Sequence, residues 1–355
     1  MPDDAPRRDA ALVAVDWGST SFRAWLLDAA GGVLDEVRAA DGSLRTSEGA
    51  RTATERAAAF RATFARRCGT WLDRRPGLPV VVAGMAGSDH GWRDAGYLDV
   101  PVGLDRLAHH LAPAPLDSSG DPPVADGVVH VVPGLRVPGP DPDVLRGEEV
   151  QLLGALDELA GGAAPADADD QALTVVLPGT HAKWVRLDGG RVVGFSTAMT
   201  GEVFALLLRD SVLARLADGG PTAEPTPAFD DALDLEAEQG DDRGLLALLF
   251  TARTLVQAGR LAPAEVADHV SGLLVGSEVR HARRTAPPGV VAVGGAGPLA
   301  ARYRRALVRH GADVRTFAEP LAARGLWRVA VGAGLVYSTP SSTAPSTPST
   351  TEVRP

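Results

Sequence analysis

Asp16, Gly18, Ser19, Thr20 and Arg23 stand in one short run, Val13-Ala14-Val15-Asp16-Trp17-Gly18-Ser19-Thr20-Ser21-Phe22-Arg23. A Gly-Ser-Thr bend can converge successive backbone N–H groups on an anion, and its hydroxyls add donors to phosphate oxygens without adding bulk. Asp16 would face that anion and be repelled by it unless a cation lies between them. Mg²⁺, bound through carboxylate and water while bridging phosphates, resolves the conflict. Arg23 offers a second positive clamp. The same residues also fit a plainer role, in which Asp16 and Ser19 cap a hairpin turn.

A second set lies in Leu145-Arg146-Gly147-Glu148-Glu149-Val150-Gln151-Leu152-Leu153. The spacing of Leu152, Leu153, Leu156 and Leu159 predicts a helix whose first turn carries two carboxylates. Acidic groups there are favoured by the helix dipole, which suffices to explain them. The functional reading is that one of the pair faces a cleft as a general base, and the residues alone leave the two readings level.

The elements that must position these groups follow from the patterning. Residues 12–28 read as a β-hairpin, an apolar strand and a return strand ending at Gly31-Gly32, followed by a third segment from Val33 to Ala39. Residues 173–193 repeat this: an apolar strand, the turn Pro178-Gly179-Thr180-His181, a return strand with Lys183 and Trp184, and Gly189-Gly190 into another strand. Two such hairpins suggest a duplicated architecture whose turns face each other across a cleft, with a nucleoside triphosphate between them.

Composition bounds the rest. A chain of 355 residues, 45% hydrophobic, has room for two domains with real cores. The apolar runs are strand-sized, the N-terminus lacks the apolar core of a signal peptide, and a net charge of −10 argues against a nucleic-acid partner. A lone cysteine, Cys68, excludes an internal disulfide and suits a core thiol in a reducing, cytoplasmic setting. Basic residues are almost all Arg. Lys183 is the only lysine, which marks a place where a point charge is wanted rather than a guanidinium fork.

Other stretches fill in the order. Residues 1–10 read as a disordered leader. Thr52 to Leu72 reads as an amphipathic helix, and Val80 to Ala86 as a buried strand running into the loop Ser88-Asp89-His90-Gly91-Trp92-Arg93. Polar loops after such strands commonly bind ligands, so Ser88 and Trp92 are candidates there, although Trp92 could simply cover the core. His90, His109 and His110 have no ligand spacing. A polar helix ends at His109-His110, and a flexible excursion runs from there to Gly127. A strand is expected from Gly127 to Pro133, and a domain crossing at 160–171. Residues 221–229 read as a loop, with helices at 203–216, 245–261, 263–284 and 321–336. The strand Val290 to Val293 leads into Gly294-Gly295-Ala296-Gly297-Pro298, a turn that would let a base or sugar approach the backbone. The tail from Ser338 is Ser/Thr/Pro-rich and expected to be disordered.

The run Asp16 to Arg23, the second hairpin Leu177-Pro178-Gly179-Thr180-His181-Ala182-Lys183-Trp184 and the turn Val293 to Pro298 resemble the two phosphate motifs and the adenosine motif of the actin-like sugar kinase superfamily. Gly84-Met85-Ala86-Gly87-Ser88, Gly91-Trp92, Arg146-Gly147-Glu148-Glu149 with Gln151, and Met199-Thr200-Gly201-Glu202 extend the resemblance to the 2-dehydro-3-deoxygalactonokinase family, from about Leu12 to Val336.

The resemblance implies an α/β fold of two ribonuclease-H-like (actin-like ATPase) domains, 11–160 and 171–337, flanking a nucleotide cleft. It implies transfer of the γ-phosphoryl of ATP to the 6-hydroxyl of 2-dehydro-3-deoxy-D-galactonate. Asp16 would hold Mg²⁺ through water. Gly18, Ser19, Thr20, Arg23, Gly179 and Thr180 would grasp phosphates, and Gly294, Gly295 and Gly297 would receive the adenosine. Glu148 would be the base, with Glu149 the runner-up, since in larger sugar kinases a Gly-Asp pair opens the corresponding helix. Ser88, Trp92, Arg146 and Lys183 would meet the sugar acid, with Arg93 a further candidate for its carboxylate. A small-molecule sugar acid and ATP are the expected partners, with neither nucleic acid nor membrane, and homo-oligomers are compatible with this. Other readings are a kinase for another 2-keto-3-deoxy acid such as the gluconate epimer, an actin-like phosphatase and a nucleotide-dependent switch.

Overall fold

The computed structural model describes residues 9–116, 127–159, 172–285, 291–295 and 297–337. The expected leader up to residue 8, most of the excursion before Gly127, the crossing at 160–171, Val290, Ala296 and the tail from Ser338 lie outside them.

The chain opens with an antiparallel meander of β1 (Ala10–Trp17), β2 (Phe22–Asp28) and β3 (Val33–Ala39). Two helices follow, α1 (Ser43–Thr46) and α2 (Ala53–Arg74). Thr52 starts α2 through a capping box: the Glu55 N–H donates to Thr52 Oγ1, and Glu55 Oε2 accepts from the Thr52 N–H. β4 (Val80–Gly84) then runs parallel to β1. Next come β5 (Tyr97–Asp99), β6 (Val102–Gly103), β7 (Ala112–Pro115), β8 (Val128–Val131), β9 (Gly134–Val137), β10 (Asp143–Leu145) and α3 (Glu148–Leu159).

The second half repeats the opening with β11 (Leu173–Leu177), β12 (Ala182–Asp188) and β13 (Arg191–Ala198), then α4 (Thr200–Asp210), α5 (Pro227–Arg243), α6 (Leu245–Leu249), α7 (Thr251–Gln257) and α8 (Val266–Thr285). β14 (Val291–Val293), α9 (Pro298–Arg309), β15 (Val314–Thr316) and α10 (Leu321–Gly332) close it.

The fold is mixed α/β, and its two large sheets carry the same plan. One is ordered β3-β2-β1-β4-β8-β7, and the other, read from its far side, β6-β13-β12-β11-β14-β15. In each, a three-stranded antiparallel meander continues through its first strand into two parallel strands, β1-β4-β8 and β11-β14-β15. A small sheet, β10-β9-β5, leads into α3.

Alternation along the strands decides what faces what. Leu12 and Ala14 of β1, with Val175 and Leu177 of β11, share one core with Val150, Leu153 and Leu156 of α3 and Leu326 and Val329 of α10. The two helices therefore lie between the sheets. Val13, Val15 and Trp17 point the other way, onto Phe60, Phe64 and Cys68 of α2. Val176 and Val293 point onto Phe229, Val275 and Tyr303. Burial pushes the Cys68 thiol up to about 12, so it stays protonated.

Several elements depart from expectation. Residues 227–243, expected to begin as a loop, form α5: Pro227 occupies the first turn, where its missing N–H costs nothing, and Phe229, Ala232 and Leu233 are buried. The expected helix at 245–261 is split into α6 and α7. The helix expected to end at Leu216 stops at Asp210. The segment before His109-His110 is a 3₁₀ turn, and Ala112–Pro115 belongs to an edge strand, a place where Pro113 and Pro115 need donate nothing to a neighbour.

α3 and α10 meet backbone to backbone. A Cβ on Gly325 would come within 1.8 Å of Val150 O, and one on Gly154 within 2.1 Å of Leu321 O. Gly325→Ala is therefore expected to destabilise by about 1–3 kcal/mol through overpacking. Gly69→Ala, in α2 with open space around its Cβ position, should stabilise by roughly 0.5–1 kcal/mol. Urea unfolding midpoints check both, and equal shifts would contradict the packing described.

Candidate active site

The ends of β1 and β11 open onto one cleft of about 410 Å³, and the hairpin turns form two of its walls. Asp16 lies on the same strand face as Leu12 and Ala14, which brings its carboxylate to the cleft while its neighbours fill the core. The register pairs Asp16 with Arg23, and the Arg23 guanidinium donates to Asp16 Oδ2 at 2.5 Å. Arg23, expected to clamp phosphate, thus already has a carboxylate partner while lining the cleft. Burial raises the Asp16 carboxyl above its ordinary range, and the guanidinium opposes that rise.

The first turn is braced from behind. Gly18 N–H donates to Ser21 O, and the N–H groups of Ser43 and Leu44 in α1 donate to Gly18 O and Ser19 O. Gly42 lies so close that a Cβ there would fall 2.3 Å from Ser19 O. The turn's carbonyls are spent on α1, while Gly18, Ser19 and Thr20 line the cleft.

Across from it stands the second turn, with Gly179, Thr180 and His181 on the wall. Its return strand places Lys183 opposite Leu177, as Arg23 stands opposite Asp16. The Lys183 ammonium donates to Thr197 Oγ1 (2.8 Å) and Val144 O (3.0 Å), tying the second sheet to β10. His181 Nε2 and Glu202 Oε2 are 2.6 Å apart, and Glu202 N–H donates to Thr180 O, fastening the turn to the start of α4.

The two carboxylates of α3 separate clearly. Glu148 lines the cleft, whereas Glu149 is fully buried behind it, its Oε2 accepting from Gly147 N–H at 2.6 Å. Burial raises the Glu148 carboxyl, the Lys183 ammonium lowers it and the Asp16 carboxylate adds to the rise. Burial, with Glu148 adjacent, pushes Glu149 up to about 8. Gly147 permits the approach: at φ +104 its Cβ position is 3.2 Å from Gly84 Cα and 3.8 Å from Asp16 Oδ1.

Arg146 also lines the cleft, its guanidinium 4.3 Å from the centre of the Tyr97 ring and donating to Gly96 O at 2.9 Å, while Nε and Nη1 have no partner. Ser88 and Trp92, expected to meet the sugar acid, are not among the residues that line this cleft. Ser88 Oγ donates to Met85 O, and Trp92 packs among Trp17, Phe60 and Phe64, because the loop folds back onto the face of the sheet that α2 covers. Arg93 is exposed and stands outside the cleft. Tyr97, Gln151 and His181 also line the cleft, although the sequence assigns them no site role and shows Gln151 and His181 only as motif members. Gln151 follows Glu148 by one helical turn, a spacing that could have marked it.

Gly294, Gly295 and Gly297 stand apart from this cleft. A Cβ on Gly294 would strike Leu177 at 2.2 Å, and Gly295 and Gly297 have φ near +90. Beside them α4, α8 and α9 enclose a second cavity of about 140 Å³, walled by Phe204, Leu274, Val275, Pro298 and Leu299. Thr200 and Gly201 border it, and a Cβ on Gly201 would lie 2.4 Å from Gly179 O, so the second hairpin turn stands between the two cavities.

Among the described residues no cluster of three or more His, Cys, Asp or Glu forms a metal cage. Mg²⁺ does not need one, since one or two carboxylates with water and phosphate oxygens suffice, and Asp16 in the cleft fits that requirement. No helix among the described residues is long and apolar enough to cross a membrane.

A similar fold is found in a solved relative. The crystal structure of a candidate 2-dehydro-3-deoxygalactonokinase from Sinorhizobium meliloti is similar at a TM-score of 0.75 and 32% identity, covering 90% of this chain and 98% of that one. The chain belongs to the 2-keto-3-deoxy-galactonokinase family, whose model matches residues 16–329. It is 36% identical over 311 residues to the "Probable 2-dehydro-3-deoxygalactonokinase" of Rhizobium meliloti (strain 1021), covering 85% of this chain and 90% of the relative. It is 33% identical over 312 residues to the 2-dehydro-3-deoxygalactonokinase of Escherichia coli (strain K12), covering 87% and 93%.

The position of Glu149 generates a pH test. A carboxyl whose folded pKa, about 8, stands above the ordinary glutamate value of 4.5 takes up a proton on folding, so its contribution to stability falls as pH rises between those values. Glu149→Gln is expected to gain stability relative to wild type from about pH 5 to about pH 8, on the order of 2–4 kcal/mol. Parallel pH dependences of the two unfolding midpoints would contradict the buried, protonated carboxyl.

Proposed function

We propose that this chain is an ATP-dependent sugar-acid kinase that transfers the γ-phosphoryl group to the 6-hydroxyl of 2-dehydro-3-deoxy-D-galactonate. The observation that carries the reading is the convergence of Ser19 and Thr20, Gly179 and Thr180, and Glu148 on a single cleft together with Asp16, Arg23 and Lys183. The two sheets are then two ribonuclease-H-like domains, 11–160 and 171–337, that exchange edges through β6 and α10.

Phosphoryl transfer asks a protein mainly for positioning and charge neutralisation. Ser19 and Thr20 grip phosphate oxygens from one side, Gly179 and Thr180 from the other, and the base of the nucleotide seats in the cavity beside Gly294, Gly295 and Gly297. Bound Mg²⁺ would neutralise phosphate charge, held by Asp16 through water. Arg23 both steadies Asp16 and presents positive charge to the phosphates.

Glu148 is the base. It is the α3 carboxylate in the cleft, and its raised pKa brings its proton affinity nearer that of a useful general base at neutral pH. Glu149 holds the Gly147 turn from behind. Arg146 and Lys183, which both line the cleft, are the cations for the substrate carboxylate.

ADP release with Mg-ATP is expected to rise strongly when 2-dehydro-3-deoxy-D-galactonate is added and less with its gluconate epimer. Glu148→Gln should lower kcat by roughly 10²–10⁴-fold while nucleotide binding persists. Stimulation by neither acid would remove this substrate class, and a fully active Glu148→Gln would remove the base.

A further inference from the structure

We infer that the base cavity admits purine nucleoside triphosphates with little discrimination, so that GTP and ITP serve as donors alongside ATP; this rests on the reading above that the base seats between α4, α8 and α9. Selectivity between purines requires side chains with free, directional hydrogen-bonding groups, because the 6-amino group of adenine donates where the 6-oxo group of guanine and hypoxanthine accepts.

Among the described residues, four polar side chains border the cavity: Thr200, Ser271, Arg302 and Tyr303. Three are committed elsewhere. The Tyr303 hydroxyl donates to Glu278 Oε2 at 2.7 Å, and the Thr200 hydroxyl also bonds Glu278, whose other oxygen accepts from Trp184 Nε1 at 2.6 Å. Arg302 forms a buried ion pair with Asp268 and donates to Thr222 O (2.8 Å) and Pro298 O (3.3 Å). Its Nε has no partner but is covered by protein, so it is not presented to a base in the cavity.

Ser271 remains, 5% exposed on the wall that α8 presents. A serine hydroxyl rotates to donate or accept, so it suits a 6-amino and a 6-oxo group equally. The other walls are the apolar surfaces of Phe204, Leu274, Val275, Pro298 and Leu299. Sites of that kind separate similar ligands weakly, whereas large ratios come from built polar groups left unpaired by the wrong ligand.

The test is kcat/KM of the full-length wild-type chain for Mg-ATP, Mg-GTP and Mg-ITP at saturating sugar acid, with KM values repeated for Leu274→Trp and Leu299→Trp, each of which fills the cavity from a different wall. The expected result is that the three triphosphates agree within about thirtyfold, and that each folded variant raises the KM of all three by more than about tenfold while the KM of the sugar acid holds. A larger preference for ATP in the wild type, with the variants still raising nucleotide KM, would overturn the tolerance and leave the seating of the base intact. Folded variants with unchanged nucleotide KM would overturn both. An absence of sugar-dependent turnover with every nucleotide would overturn the kinase reading itself.

Discussion

A carboxylate and a guanidinium at the mouth of a buried hairpin, Asp16 and Arg23, set the terms for everything around them. Asp16 sits on the core face of β1, where only its place at the strand's end gives it an outlet, and burial disfavours its charge. The Arg23 partner offsets part of that cost, since a buried charge is tolerated only when paired. The rest of the first half is arranged to hold the pair in place: α1 takes the turn's carbonyls, and the glycines at 84 and 147 let the start of α3 close on Asp16. Glu148 reaches the cleft because of that close approach.

The duplicated second hairpin uses the same geometry with different chemistry. Leu177 stands where Asp16 stands in the first, so this turn brings no carboxylate, and the cation opposite it, Lys183, bonds Thr197 and the Val144 carbonyl. At the cleft, the first hairpin therefore presents both signs, whereas the second presents Lys183 and no carboxylate of its own. In the proposed reaction that asymmetry assigns magnesium to one side of the triphosphate and leaves Lys183 facing the acceptor and its base. The ammonium also lowers the proton affinity that burial gives Glu148. A lysine in a chain whose other cationic side chains of this class are all arginine makes sense at such a site, where two short, divergent hydrogen bonds suit a point charge better than a planar fork.

The hairpins, the helix carrying the glutamates and the Gly-rich turn were legible in the sequence because each is local: apolar alternation, a small-residue bend and a return strand lie within one short stretch. The choice between Glu148 and Glu149 was not local. It depends on which side of α3 faces the cleft, and that is fixed by Gly154 meeting Leu321 and Gly325 meeting Val150, contacts between distant parts of the chain. The place of Trp92 was not local either: its loop has the polarity of a ligand loop, and contacts with the distant Trp17, Phe60 and Phe64 put its ring in the core, the second of the two readings the sequence offers. Helix α5 was hidden by its many acidic residues and by a proline that reads as a breaker yet fits the first turn. Its buried face is carried by few residues, among them Phe229 and Leu233.

The most direct measurement is calorimetric binding of ATP to wild type and to Asp16→Asn, each with and without Mg²⁺. If Asp16 is the group that makes a cation necessary between protein and phosphate, wild type should bind ATP far more tightly with Mg²⁺, and the Asn variant, with that repulsion removed, should bind ATP with little regard to the metal. An Asp16→Asn protein that keeps the full magnesium dependence of wild type would contradict the role given to the buried carboxylate.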